Sequence, residues 1–292
     1  MDYNRLISSI GLSAEGVEIF NTIHSKIADE SFKVGVIEAY DAFKKGNDEF
    51  TEYALSFAKS CGELPEHLLL YLHIIFSEAA YKELSSRGIG EEYFYSSLLD
   101  LDEKCSHNKE ENGIYGIPAF EIPWFRYAMC ATIFKLGRLQ FQIAKSEYDV
   151  TIDGVSISKG DTCYFVHVPS GEPLTEEACL ASYKTALEFF TKYYGVENMM
   201  CFCYSWLLQP WLDGVLKPDT NIIKFKNSFK LIETIASIPH TFRFIFMKQY
   251  DSLDDYPTDN PLRKTAVERR KRGDLIGYGV GVRLINKEIL DR

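Results

Sequence analysis

The feature that most constrains the fold is a change of hydrophobic period near Gly113. Before this glycine, apolar residues recur at the three- and four-residue intervals of helices; after it, strand-length apolar runs alternate with helical segments. This order predicts an α+β protein in which an N-terminal helical bundle precedes a mixed α/β sheet domain. The chain of 292 residues is long enough for two domains, and we place them at residues 1–114 and 115–292.

Residues that begin and end helices divide the first half into five expected helices. Ser13 is a good N-cap for a helix with apolar residues at helical intervals. Pro65 fits the first turn of a later helix, where a backbone N–H has no intrahelical partner. Gly46, Gly62 and Gly88 fit positions just past helix ends. The first half is therefore expected to form a small bundle with short loops.

The second half alternates strands with helices. Pro118 and Pro123 indicate an extended segment, because proline interrupts helices. Helices are predicted up to Leu136 and in the stretches TEEACLASYKTALEFFTKYYG and NPLRKTAVERRKRG. Strands are predicted in RLQFQIAKSEYDV, ISKGDTCYFVHVP, MMCFCYSWLL, SIPHTFRFIFMKQY and DLIGYGVGVRLI. A mixed sheet flanked by helices is the expected architecture.

Charge and cysteine content limit the partners and the compartment. The net charge of −10 repels phosphate backbones, so we expect no nucleic-acid partner. The seven cysteines include no C-x-x-C pair, which favours reduced thiols in a cytoplasmic protein. We expect no signal peptide and no membrane association, because the N-terminus lacks a basic and apolar leader and no long apolar run follows. His67 and His73 have the wrong spacing to share a metal, and no metal site is expected.

The stretch FVHVPSGEPLTEE places a histidine where a predicted strand ends. His167 precedes Pro169 and Gly171, and sites in α/β sheets gather at the carboxyl ends of strands. Two interpretations stay open: a hydrogen-bonded turn residue, or a group that binds a ligand or transfers a proton. The next helix begins near Thr175 with two glutamates in its first turn. These already offset the helix dipole and weaken a phosphate site there.

Two hydroxyl groups lie in the apolar run MMCFCYSWLL. Tyr204 and Ser205 are either satisfied hydroxyls of the core or groups that face a cleft opposite His167.

The basic cluster Arg269–Arg272 ends a predicted helix. It is either a solvated helix end or a clamp for the phosphates of a nucleotide. The later GYGVG is no dinucleotide fingerprint, because it opens no strand-to-helix turn.

Several segments together resemble a known family: GRLQFQ, HVPSGEPLT, SYKTALEFF, CYSWLLQPWL, TNIIKFKNSF and FRFIF. The family comprises bacterial acyltransferase-domain proteins with a helical N-acyltransferase N-terminal domain and a GNAT-like C-terminal domain. The resemblance covers residues 115–285 well and the helical half loosely. It implies a splayed, mixed sheet that holds acyl-CoA at the split between two central strands.

The resemblance also implies a reaction and roles for particular residues. The expected function is acyl transfer from acetyl-CoA or another acyl-CoA, as co-substrate, to a small-molecule or peptide amine. His167 or Glu172 would be the base, Tyr204 the acid, and Ser205 a positioning group. The residues expected to bind the acyl-CoA are Val168, Ser170, Gly171, Arg269, Lys271 and Arg272.

An alternative stays open beside the enzyme. The superfamily's phosphate-binding signature, Arg/Gln-x-x-Gly-x-Gly/Ala, is absent, which favours a module of the same fold that binds acyl-CoA or a protein partner without turnover.

Overall fold

The computed structural model describes residues 1–236, 239–246, 248, 250–274 and 276–289. The chain forms two compact units, Met1–Phe134 and Lys135–Arg292, and each is described here by itself. The first is helical and the second is built on a mixed sheet, as the change of period near Gly113 predicts.

The first unit is a bundle arranged around one long buried helix. Its helices are α1 (Tyr3–Ser9), α2 (Ala14–His24), α3 (Glu30–Lys45), α4 (Asn47–Cys61), α5 (Pro65–Ser86), α6 (Glu91–Ser97), α7 (Asp100–Asn112) and α8 (Ile122–Met129). Helix α5 contacts α2, α3, α4, α6 and α8, which explains why apolar residues surround it on all sides. The predicted fifth helix is two helices, α6 and α7, interrupted at Leu98 and Leu99.

The predicted caps hold the helix ends. The Ser13 hydroxyl accepts a hydrogen bond from the Gly16 backbone N–H, and Pro65 occupies the first turn of α5. Gly62 ends α4 in the left-handed conformation.

The prediction of a helix up to Leu136 is wrong. Helix α8 ends at Met129, and Ala131 adopts a φ of +54°, a left-handed conformation that a helix cannot continue through. The residues Ile133–Leu136 form a strand instead. Helix α8 packs against α5, so the structure groups the segment after the predicted boundary at 114 with the helical unit.

His73 is a histidine buried in the apolar centre of this unit. Its Nδ1 donates to the Leu69 carbonyl oxygen at 2.6 Å within α5, and Phe50 and Phe125 pack edge-on against the ring. Burial lowers the pKa of His73 to about 4 from an ordinary value of 6.5. The imidazole is therefore neutral at physiological pH.

Acidification is expected to destabilise the helical unit through His73. The unfolded chain binds a proton below a pKa of 6.5 and the folded chain only below about 4, so stability is lost as the pH falls through this window. Between about pH 7 and about pH 5 the loss should be about 2 kcal/mol. Urea unfolding at the two pH values, followed by helical circular dichroism, should show a smaller loss for His73→Leu than for wild type. Equal losses would contradict this account.

The second unit is a six-stranded mixed sheet with a separate hairpin. The strands are β1 (Ile133–Leu136), which begins two residues before the boundary at Lys135, β2 (Leu139–Lys145), β3 (Val150–Ile152), β4 (Val155–Ile157), β5 (Thr162–His167), β6 (Met199–Ser205), β7 (Lys230–Ile235) and β8 (Tyr278–Ile285). The sheet order is β1-β2-β5-β6-β8-β7, and β3 pairs with β4. Strands β5 and β6 are parallel, whereas the β2–β5, β6–β8 and β7–β8 pairs are antiparallel.

Helix α9 and the hairpin cover opposite faces of this sheet. The helices of this unit are α9 (Glu176–Tyr194), α10 (Asn221–Asn227), α11 (Pro239–Phe246) and α12 (Pro261–Lys271). Helix α9 covers one face, where the ring of Phe190 packs 4.5 Å from that of Tyr164. On the other face, Ile152 and Ile157 of the hairpin pack with Phe202. Alternation along the strands separates the two apolar sets.

The strand predicted in SIPHTFRFIFMKQY is wrong: Pro239–Phe246 is helix α11. Phe242, Ile245 and Phe246 recur at helical intervals and are buried against α12, while Phe244 is 55% exposed. Burial of one helical stripe thus overrides the strand preference of these aromatic and β-branched residues. Residues 237, 238, 247 and 249 of this stretch lie outside the described residues.

The glycines of GYGVG let neighbouring segments approach strand β8 closely. A Cβ at Gly279 would lie 2.8 Å from the Leu208 carbonyl oxygen, and one at Gly281 would lie 2.7 Å from the Leu208 side chain. A Cβ at Gly277 would overlap the carbonyl oxygen of Ile235 in β7. These glycines are therefore explained by packing, in agreement with the absence of a dinucleotide fingerprint.

Candidate functional site

The candidate site lies where the two parallel strands of the sheet stop pairing. The β5–β6 register runs through two residue pairs, Tyr164–Cys201 and Phe165–Phe202. Beyond these two pairs β5 continues to His167 and β6 continues to Ser205. The structure describes every residue of both strands. The pairing of β5 with β6 therefore stops before the carboxyl ends of both strands.

His167 ends strand β5 and is held by a side chain of strand β2. Its Nε2 lies 2.8 Å from Oε1 of Gln142, and His167 is half-buried. Burial lowers the pKa of His167 to about 4. The ring is therefore neutral near pH 7 and can accept a proton from a reacting group.

Tyr204 shares a sheet face with His167 on the neighbouring strand. Phe165, two residues before His167, packs its ring 4.9 Å from the Tyr204 ring, and residues two apart on a strand face the same side. The Tyr204 hydroxyl donates to Glu147 at 3.3 Å. Burial, with the Glu147 carboxylate, raises the pKa of Tyr204 well above its ordinary value. The phenol is therefore protonated near pH 7.

Ser205 belongs to the opposite face of the sheet. Its Oγ accepts a hydrogen bond from the Leu207 backbone N–H at 3.2 Å and caps a short turn of 3₁₀ helix, Trp206–Leu208. The geometry thus favours the satisfied-hydroxyl interpretation of Ser205.

The loop after β5 is held by Arg138, a residue that the sequence did not single out. Its Nε donates to the Glu172 carbonyl oxygen at 2.7 Å and its guanidinium also donates to that of Pro169 at 2.8 Å. The loop turns at Gly171, whose φ is +98°, in the region that glycine favours. Arg138 therefore fixes the segment that contains Val168, Ser170 and Gly171, while the Glu172 side chain is exposed.

The first turn of helix α9 is capped by a side chain of the protein itself. Thr175 Oγ1 accepts from the Ala178 N–H. The backbone N–H of Glu177 and then the Thr175 side chain lower the pKa of the Glu177 carboxyl group. Ser182 Oγ accepts from the Arg138 backbone N–H at 2.7 Å. The helix is thus tied to the same turn that holds the loop.

The basic cluster at the end of α12 is paired with carboxylates. Arg269 and Arg272 lie 3.7 and 3.3 Å from Asp274, and Lys271 is paired with Asp254. The Arg269 guanidinium also lies 5.7 Å from the centre of the Trp211 ring. A phosphate bound here would have to compete with these partners.

Neither a metal-binding cluster nor a membrane-spanning helix is present among the described residues. Across the described ranges, no group of three or more histidine, cysteine or acidic side chains is arranged to hold a metal ion. Among the helices described, none has the length and apolar character that crossing a bilayer requires.

Comparison with known proteins identifies both units. The profile of a GNAT-like C-terminal domain matches residues 133–283, and that of an N-acyltransferase N-terminal domain matches residues 1–130. No curated protein sequence matches the chain.

Solved acyltransferase structures share the fold. An acyltransferase mutant in complex with octanoyl-CoA is 19% identical with a TM-score of 0.75, over 97% of this chain and 88% of that one. An acyltransferase in complex with decanoyl-CoA is 18% identical with a TM-score of 0.73, over 96% and 86%. An acyltransferase in complex with decanoyl-CoA and teicoplanin is 23% identical with a TM-score of 0.65, over 76% and 67%.

Proposed function

The chain belongs to the family that joins an N-acyltransferase N-terminal domain to a GNAT-like C-terminal domain, and from this we propose that it is an acyl-CoA-dependent acyltransferase with an amine acceptor. The observation that carries the proposal is the end of the β5–β6 pairing. There a neutral imidazole and a protonated phenol lie on one face of the sheet, on the two strands that part.

The proposed donor is an acyl-CoA bound where β5 and β6 separate. The pantetheine arm would use backbone groups of the loop that contains Val168, Ser170 and Gly171, which Arg138 holds in place. Solved proteins of this fold bind octanoyl-CoA and decanoyl-CoA, which supports a medium-chain acyl group. One of them also binds teicoplanin, which supports a small-molecule acceptor.

The proposed reaction is direct transfer without a covalent enzyme intermediate. The acceptor nitrogen attacks the thioester carbonyl carbon, its proton passes to His167, and the C–S bond breaks. The leaving thiolate takes a proton from the Tyr204 hydroxyl. The proton on His167 then returns to Tyr204 through solvent, which leaves an amide, free CoA and the starting protein. Glu172 is the alternative base.

A second candidate is a binding module without turnover. Lys271 and Arg272 already have carboxylate partners, and the start of α9 is capped by Thr175, so protein groups occupy the sites proposed for phosphates. Such a module would bind an acyl-CoA or a protein partner through the same fold.

Calorimetric titration with acetyl-CoA, octanoyl-CoA and decanoyl-CoA tests the proposal. Micromolar binding that depends on the acyl chain supports an acyl-CoA site and justifies an assay with amine acceptors. If none of the three acyl-CoAs binds, the acyltransferase proposal is contradicted. Binding without thiol release across a panel of amines would favour the binding module.

Arg138→Lys is expected to weaken acyl-CoA binding about tenfold, because a single ammonium group cannot replace the guanidinium that holds two carbonyl oxygens of the loop. The dissociation constant should rise while the melting temperature stays close to that of wild type. Unchanged affinity would show that the loop needs no clamp.

Replacing Lys271 and Arg272 by glutamine is expected to weaken CoA binding, and the difference should shrink as salt is added. Lys264→Gln is the matched control, because Lys264 lies earlier on the same helix and is 64% exposed. If the double variant binds CoA like the control, the cluster is a solvated helix end.

A further inference from the structure

A cleft with a volume of about 200 Å³ lies beside strands β7 and β8. Gly281 of β8 lines the cleft, and a Cβ at Gly281 would point toward Leu208, which lines it too. Gly281 pairs with Cys203, which faces the same side of the sheet, whereas the next residue of β6, Tyr204, faces the other side. The cleft is therefore on the opposite face from His167 and Tyr204.

Apolar groups form the buried part of the cleft. Leu208 is 1% exposed and Phe229 is 8% exposed, and Gly281 adds no side chain. Leu231 of the edge strand β7 also lines the cleft, and 40% of this leucine is exposed. A ligand with an apolar part would remove Leu231 from water, which is favourable.

An ion pair in the cleft determines the polarity of a suitable ligand. Nζ of Lys226 lies 2.8 Å from each carboxylate oxygen of Asp213, and the Lys226 side chain is only 14% exposed. Among the described residues, these two are the charged side chains that line the cleft. Separating them would leave a largely buried ammonium group without its counter-ion, which is unfavourable.

The intact ion pair can still form hydrogen bonds on both sides. An ammonium group carries three hydrogens, and the two contacts with Asp213 use at most two of them, while a carboxylate has about four lone-pair positions. A primary amide matches this arrangement, because its carbonyl oxygen accepts from Lys226 and its N–H donates to Asp213. A ligand carboxylate would be repelled by Asp213, and a ligand ammonium group by Lys226.

We infer that this cleft is a binding site for a small neutral molecule with a short apolar chain that ends in an amide group. Its volume of about 200 Å³ equals that of about seven water molecules at about 30 Å³ each, which sets the approximate number of non-hydrogen atoms in the ligand. The inference is independent of the proposed function, because it uses neither His167 nor Tyr204.

Titration of the whole chain with hexanamide, hexanoate and hexylamine tests the inference, because the three probes share a chain length and differ in charge. Nuclear magnetic resonance of ¹³C-labelled leucine methyl groups follows Leu208 and Leu231. Hexanamide should shift both signals with a dissociation constant in the millimolar range, and each charged probe should bind at least fivefold more weakly. Equal or tighter binding of a charged probe, or shifts that do not saturate, would overturn the inference.

Leu231→Ala locates the bound probe. It removes part of the apolar lining, so the dissociation constant of hexanamide should rise at least threefold. Leu55→Ala is the matched control, because Leu55 is 39% exposed and lies on α4, in the other unit. Equal affinities of the two variants would show that hexanamide does not bind in the cleft.

Asp213→Asn tests the role of the ion pair. The Asp213 side chain is 56% exposed, so the fold should tolerate the change. The substitution leaves the Lys226 ammonium group without a carboxylate, and hexanoate should then bind more tightly than hexanamide. If the order of the three affinities stays that of wild type, the ion pair does not select a neutral ligand and the inference is wrong.

Discussion

Replacing His167 by glutamine is expected to lower kcat for acyl transfer by about a hundredfold, a usual contribution of a general base. The neutral imidazole lies at the end of β5, and the amide side chain of glutamine cannot take the proton of an acceptor amine in its place. Release of free thiol from acyl-CoA, measured with an amine acceptor, gives kcat, and a thermal melt of the same samples gives folding. A wild-type rate for His167→Gln would remove His167 from the mechanism.

Glu172→Gln and Ser205→Ala are the matched controls. The Glu172 side chain is exposed, and Ser205 lies on the opposite face of the sheet, where its Oγ caps a turn. Both variants should keep a rate close to that of wild type, and Ser205→Ala should lose about 1 kcal/mol of stability. A large loss of kcat in Glu172→Gln alone would move the base to Glu172. A parallel loss of melting temperature and rate in His167→Gln would assign His167 to structure.

Gly277→Ala is expected to destabilise the second unit by about 3 kcal/mol or more. A Cβ at this position would overlap the carbonyl oxygen and carbon of Ile235, and backbone of a paired strand cannot rotate away as a side chain can. Ile235 pairs with Tyr278, so relief of the overlap would separate the last two strands of the sheet. Urea unfolding followed by the fluorescence of the tryptophans reports the loss.

Gly214→Ala is the control for this prediction. A Cβ at Gly214 would have no heavy atom within 4 Å, and its backbone is outside the left-handed region. Its stability should stay within about 0.5 kcal/mol of wild type. Similar behaviour of the two variants would show that the approach of β7 to β8 is not tight.

Local signals predicted the helical unit better than the sheet unit. Ser13, Pro65 and Gly62 mark helix ends by their own chemistry, and the structure places a helix terminus at each of them. The stretch around Phe242 and Ile245 was misassigned because aromatic and branched residues fit strands and helices alike. Its burial against α12 decides the outcome, and that contact is distant in sequence.

The sequence predicts only part of the candidate site, because some of its contacts join residues that are distant in sequence. His167 and Tyr204 follow strand-length apolar runs, so their place at strand ends could be predicted. The partners Gln142 and Arg138 depend on strand register and on a turn that folds over the loop. The sequence does contain one weak indication of these contacts. GRLQFQ places an arginine and two glutamines in and beside a buried strand, and buried polar side chains require hydrogen-bond partners.

The short β5–β6 ladder divides the sheet into two halves, β1-β2-β5 and β6-β8-β7, joined through two residue pairs. Opening of such a seam needs far less free energy than global unfolding, so amide hydrogens along it should exchange with deuterium before those of the β6–β8 ladder. A ligand that hydrogen-bonds to both β5 and β6 beyond their paired residues would connect the two halves of the sheet and stabilise their junction. Acyl-CoA binding would then slow exchange at the ends of β5 and β6 together, even in a variant that has lost turnover.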